Sequence, residues 1–215
     1  MSFWEYLASR RELLVFETWQ HASMVFQCVL AALVIGVLIG LLVYRRPRLA
    51  AFATSTAGVI FTVPSLALLG LLITPLGLGV APSVVALTLY SLLPIVRNTI
   101  VGLSGVDRTL VDAARGIGMG RRRILLRIEL PLAWPVILTG ARVATQLAMG
   151  IAAIAAYVSG PGLGEQIFSG LARLGGANSI NMTLAGTLGI IILALLFDAC
   201  FLIIGRLTTP RGIRA

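Results

Sequence analysis

Few residues in this chain could do chemistry, and their types limit what that chemistry could be. His21 is the sole histidine, so a metal centre built on paired histidines is excluded. A serine-hydrolase triad would have to use that same residue with no nucleophile elbow to accompany it. Lysine is absent, which removes Schiff-base catalysis and the lysine that a nucleotide-hydrolysing phosphate loop needs. The run Gly116-Ile117-Gly118-Met119-Gly120 superficially resembles a phosphate cradle. No strand precedes it, and such a run reads as a helix stop followed by a tight turn. Cys28 and Cys200 lie within apolar stretches and read as small packing residues. An intrinsic enzyme, a cofactor and a metal site are therefore not expected. Two features remain: a pair of opposite charges in apolar surroundings, Arg142 and Asp198, and a long basic segment from Val111 to Pro135.

The elements that position these features are membrane helices. Of 215 residues, 58% are hydrophobic and 12% charged, with a mean hydropathy of +0.99. An average soluble domain carries about 25% charged residues. A helix needs roughly 20 apolar residues to cross the hydrocarbon core, and five runs reach that length: about 22–44, 51–73, 82–101, 132–158 and 182–204. The fold class expected is all-α, a polytopic membrane protein with five transmembrane helices. Residues 1–21 read as an interfacial segment on the outer leaflet, with Trp4, Phe16 and Trp19 interleaved among charges. Residues 22–206 form the membrane domain, with a water-side loop at about 102–131, and 207–215 a short basic tail.

The net charge of +9 does not point to nucleic acid, because the arginines sit at the ends of apolar runs. With the N-terminus outside and the C-terminus in the cytoplasm, 13 arginines fall in the inner stretches 45–48, 97–127 and 206–214. Only Arg10, Arg11 and Arg173 fall outside, and Arg142 lies within a span. That imbalance sets the expected orientation.

The basic loop is too long for a plain turn. Leu110 to Arg115 can form a short helix with Asp107 as N-cap, and Gly116, Gly118 and Gly120 break it. Arg121 to Leu130 can form a second helix with Ile124, Leu125 and Ile128 on one face. Pro131 then opens the fourth span. The expected result is helix, turn, helix, parallel to the membrane, with Ala113 and Ala114 small enough for a partner to approach closely.

At these residues the chain resembles a known family. Asp112-Ala113-Ala114, then Gly118 after three residues, then Ile128-x-Leu130-Pro131 after nine, is similar to the EAA loop of permease subunits of ATP-binding-cassette importers. Asp112 replaces the usual glutamate. Residues Thr62 to Leu68, Leu89 to Thr99 and Gly160 to Gly164 resemble the osmoprotectant branch, which imports glycine betaine, carnitine and choline. Pro161 departs from the more glycine-rich turn common there. The resemblance covers roughly Ala22 to the C-terminus.

It implies a type I importer permease in the inner (plasma) membrane, passive itself. The implied partners are a cytoplasmic ABC ATPase dimer, a second permease subunit (identical or related), an extracytoplasmic substrate-binding protein and the bilayer. Asp112, Ala113, Ala114, Gly118, Met119 and Gly120 would carry the contact with the ATPase. ATP-driven closure would move the loop helices as levers and swing the spans between inward- and outward-open states.

Residues for a pathway or buried polar lining are Tyr90, Asn98, Arg142, Gln146, Tyr157 and Asp198. Arg142 and Asp198 sit at similar depth, and an ion pair inside the bundle is expected, since a lone arginine at mid-membrane costs about 2.5–3.5 kcal/mol on insertion scales. Structural helix–helix hydrogen bonds are the alternative role for the neutral four. Residues 159–181 read as a flexible outer segment, with Gly160, Gly162 and Gly164 forming an outer gate or a docking surface. Two other readings stand beside this one: a methionine- or sulfonate-type permease, and a membrane scaffold or channel without ATPase coupling.

Overall fold

The computed structural model describes residues 1–209, so Arg211, Arg214 and most of the basic tail lie outside the described residues. The described chain is helical. Its elements are α1 (Phe3–Ser9), α2 (Arg11–Val43), α3 (Pro47–Thr62), α4 (Ser65–Leu76), α5 (Val80–Ser104), α6 (Arg108–Gly116), α7 (Arg121–Ile124), a π turn (Leu125–Glu129), α8 (Leu130–Ala155), a 3-10 turn (Ala156–Val158), α9 (Gly164–Ala172) and α10 (Ser179–Thr208). Four helices are long and apolar enough to cross a membrane: Arg11–Val43, Val80–Ser104, Arg121–Val158 and Ser179–Thr208. The α3–α4 pair makes a fifth span if counted as one, bent by 93°.

Helix α5 is the centre of the bundle, packed between α2 and α8. Its contact with α2 is a small-residue seam: Gly36 and Gly40, four apart, lie against Ile95 and Thr99 of α5, also four apart. A Cβ on Gly40 would stand 2.4 Å from the Thr99 methyl. Small residues at this spacing let membrane helices approach backbone to backbone. On the other side Ala133, Ile137, Ala141, Ala144 and Ala148 of α8 are buried, and Gly140 meets Asn98 and the Pro94 carbonyl of α5. Helix α10 packs mainly on α9, with Gly186 against Leu163 and Ile167, and buries only Ser179, Ala185, Gly186 and Leu193.

The helices that carry three of the apolar runs differ in shape or extent from the runs themselves. The second apolar run, 51–73, is not a straight helix. It breaks at Val63, whose ψ of 129° is extended, because a residue before proline is driven out of the α region, and Pro64 follows. The helix that carries the first apolar run begins well before residue 22. Helix α2 starts at Arg11 and runs through 33 residues without a break, since no proline or glycine interrupts the chain before Gly36. The 1–21 segment is thus a seven-residue helix, α1, followed by the first turns of α2. Finally, Pro131 does not open a separate helix. The helix is continuous from Arg121 to Val158. In α geometry the Pro131 ring would strike the carbonyl of Arg127. The π turn before it avoids this by widening the register, so that the Leu130 N–H donates to the Leu125 carbonyl.

Candidate functional site

The loop between α5 and α8 is a compact device. Asp107 caps α6, accepting from the Thr109 N–H at 2.8 Å, and that backbone hydrogen bond holds its carboxyl below the usual carboxylate range. Val111 and Ala114 face inward and form a small apolar cluster with Ile124, flanked by Val106, Met119 and Ile128. After α6 the chain turns at Gly118, whose φ of +81° favours glycine. The Met119 N–H donates to the Ala114 carbonyl at 3.0 Å. Gly120 then caps α7.

This divides the sequence-derived coupling residues. Asp112, Ala113, Gly118 and Gly120 are exposed, and Met119 is half-buried. Ala114 does not offer itself to a partner: it is 5% exposed and packs inward. Asp112 is paired with Arg115 at 2.9 Å on the water side. The second helical piece, 121–130, is no separate helix but runs through α7 and the π turn directly into α8. Sequence reasoning missed two apolar side chains, Leu110 on the outer face of α6 and Ile117 at its C-cap, at 49% and 80% exposure. Their seven-residue separation, with Ala113 between, is the signal that was available. It also missed the tie beneath the loop. Glu129, buried in the π turn, accepts from the Tyr44 hydroxyl at 2.8 Å and from Arg45 at 2.9 Å, which fastens the end of α2 to the base of α8.

The polar residues of the spans are placed as follows. Arg142 and Asp198 form a two-point ion pair, Nε to Oδ1 at 2.5 Å and Nη2 to Oδ2 at 2.6 Å. Gln146 adds a third donor to Asp198 at 2.9 Å. The pair is not enclosed in the bundle. It stands at the α8–α10 seam with side chains 36% and 21% exposed, because α10 buries no residue beyond Leu193. The Tyr90 hydroxyl donates to the Val63 carbonyl, a group left over by the break between α3 and α4. An unsatisfied carbonyl in lipid costs several kcal/mol, so Tyr90 repairs the kink. Asn98 donates to the Pro94 carbonyl at 2.8 Å within its own helix. Tyr157 is 70% exposed and crosses Phe168 with ring centroids 5.6 Å apart.

The turn carrying Gly160, Gly162 and Gly164 is packed tightly against the bundle. All three glycines are buried. A Cβ on Gly160 would lie 2.6 Å from the Ser83 hydroxyl, one on Gly162 2.9 Å from the His21 ring, and one on Gly164 2.2 Å from the Ala153 carbonyl oxygen. Beside the turn, a chain of polar groups links three elements. The Tyr6 hydroxyl donates to Gln166 at 2.8 Å and Gln166 donates to Glu17 at 2.9 Å. Burial raises the Tyr6 hydroxyl above the ordinary tyrosine value.

Comparison with known proteins agrees with this architecture. Residues 32–211 match the family model described as binding-protein-dependent transport system inner membrane component. The osmoprotectant import permease protein OsmW of Salmonella typhimurium is 41% identical over 92% of each chain. The carnitine transport permease protein OpuCB of Listeria monocytogenes is 35% identical, covering 94% of this chain and 90% of that one. The choline transport system permease protein OpuBB of Bacillus subtilis is 35% identical over 94% and 91%. Among solved structures, an inward-facing MetNI methionine ABC transporter chain superposes with a TM-score of 0.80 at 24% identity, covering 94% of this chain and 99% of that one, a likeness of fold. The chain belongs to the family of binding-protein-dependent transport system inner membrane components.

Proposed function

We propose that this chain is the passive permease subunit of an ATP-driven importer for quaternary-amine osmoprotectants: glycine betaine, carnitine, choline or proline betaine. One observation carries the reading: relatives 35–41% identical along more than nine tenths of the chain are named as carnitine, choline and osmoprotectant permeases. The chain works with a cytoplasmic ATPase dimer, a second permease subunit and an extracytoplasmic binding protein. It catalyses nothing itself; ATP is hydrolysed on the partner. The N-terminus lies outside and the C-terminus in the cytoplasm, supported by the arginine distribution.

The outer face of α6 makes the ATPase contact. Asp112, Ala113, Gly118 and Gly120 present themselves to it, together with Leu110 and Ile117, while Ala114 and Met119 hold the helix on its base. An exposed apolar face rimmed by charge on an element anchored from below is the feature a groove-bearing partner would grip. Arg142, Asp198 and Gln146 line the α8–α10 seam. The outer turn at Gly160, Gly162 and Gly164 acts as a gate by moving with the end of α8 rather than by bending.

The test is reconstitution in proteoliposomes with the ATPase and binding protein of the same importer. Radiolabelled choline and glycine betaine are taken up on ATP addition and methionine is not; methionine uptake in place of choline and glycine betaine refutes the solute assignment. Cysteines placed in the 107–127 loop should react only with a membrane-permeant reagent. Reaction with an impermeant one from outside inverts the topology.

A further inference from the structure

Beside the turn that joins α8 to α9 lies a cavity of about 510 Å³, within the ~300–1,000 Å³ range of small-molecule sites. Its wall includes two carboxylates, Glu17 from α2 and Glu165 from the first turn of α9, and two aromatic rings, Tyr157 and Phe168. None of the described residues lining it is basic. The rings cross at 67° and make a corner rather than a stack. Glu17 is only 6% exposed, and while its Oε1 accepts from Gln166, its Oε2 has no partner. A buried carboxylate oxygen left unpaired is unfavourable, and a positive group placed beside it would offset that cost.

The chemistry of the wall selects among cations. A hard metal ion takes six or more oxygen ligands, and no group of three acidic, histidine or cysteine side chains among the described residues could hold one. Aromatic faces joined to carboxylates suit a large, weakly hydrated cation, the quaternary ammonium above all. A second cavity of about 420 Å³ shares Glu17, Glu165 and Ser169 with the first and adds Arg10 and Arg173. A zwitterion could therefore set its ammonium in the acidic, aromatic corner and its carboxylate toward the two guanidinium groups.

We propose that this cavity receives the quaternary ammonium head of the solute at the outer end of the bundle, before passage through it. The proposal rests on the function and orientation assigned above. Glu165 and Glu17 supply the charge, and Tyr157 and Phe168 the faces.

The experiment uses the assembled permease–ATPase complex in nanodiscs, without binding protein. Choline and its uncharged carbon isostere, 3,3-dimethyl-1-butanol, are the probes. Choline should bind saturably and the isostere should not. Tyr157→Ala and Glu165→Gln should each weaken choline at least fivefold while melting at the wild-type temperature without ligand. Phe168→Leu gives a further reading should either fail to fold. Absence of saturable choline binding to wild type, or binding indifferent to every variant, overturns the proposal. So does unchanged choline binding in variants that lose stimulation by the binding protein, which would mark the cavity as that protein's docking point. Normal choline uptake by a wild-type complex with no such binding leaves the transport function standing and removes only this site. Binding that depends on these residues in a complex unable to transport choline keeps the site and removes the solute assignment.

Discussion

Two glycine triplets with the same alternating spacing lie in this chain, and the fold uses them in opposite ways. Around Gly116, Gly118 and Gly120 an added Cβ meets nothing within 4 Å. Around Gly160, Gly162 and Gly164 it meets neighbouring atoms at 2.2–2.9 Å. At the water-side loop glycine is wanted for what the backbone must do, above all the positive φ of Gly118. At the other turn it is wanted for the volume it lacks, so that the chain can lie directly on Ala153, Ala155, Ser83 and His21. One triplet is built to remain accessible, the other to be closed over.

Substitutions can break this contrast. Gly164→Ala should have the largest effect. Its Cβ overlaps a backbone carbonyl that cannot rotate away, and the cost lies at or above the upper end of the usual overpacking range of about 1–3 kcal/mol. The purified variant should melt well below wild type or fail to accumulate. Gly162→Ala comes next, since its φ of +119° adds strain to the contact with His21, for a loss of about 2 kcal/mol in the same assay. Gly118→Asp should keep insertion at a cost of no more than about 1–2 kcal/mol, because the site is open and aspartate is among the residues that visit the left-handed region. Uptake and ATPase stimulation should nevertheless be lost, and normal transport by this variant would count against the coupling role of the loop. Gly116→Ala should be the mildest. It ends α6 with open space around it, and its melting temperature and uptake should match wild type, helix propensity favouring alanine by up to about 1 kcal/mol. If Gly164→Ala and Gly116→Ala behave alike, the contrast fails.

The contrast also marks how far the sequence is legible. The all-helical architecture and the order of the long apolar helices follow from hydropathy, because lipid demands long apolar helices. The Arg142–Asp198 pair is foreseeable from two opposite charges at matched depth. The division of the alanines is harder: Ala113 and Ala114 are chemically equal, and only the rotation of α6 onto Ile124 separates them. The break at Val63 was signalled by Pro64, but an apolar window that averages over 51–73 hides it. The early start of α2 was hidden by its charges, Arg11, Glu12 and Glu17, which look foreign to a membrane helix although Glu17 turns inward to Gln166. Spacing alone cannot separate the two triplets, since what distinguishes them is contributed by residues as remote in sequence as His21 and Ser83.

The continuous helix from Arg121 to Val158 joins these two regions directly. At 1.5 Å per residue its 38 residues extend about 57 Å, with one triplet just before its first residue and the other just beyond its last. Were a partner to push the loop, a strut of this kind, pivoting where it leans on the central helix, would carry its two tips in opposite directions, so that a sideways displacement at Gly118 would emerge at Gly162 with reversed sense.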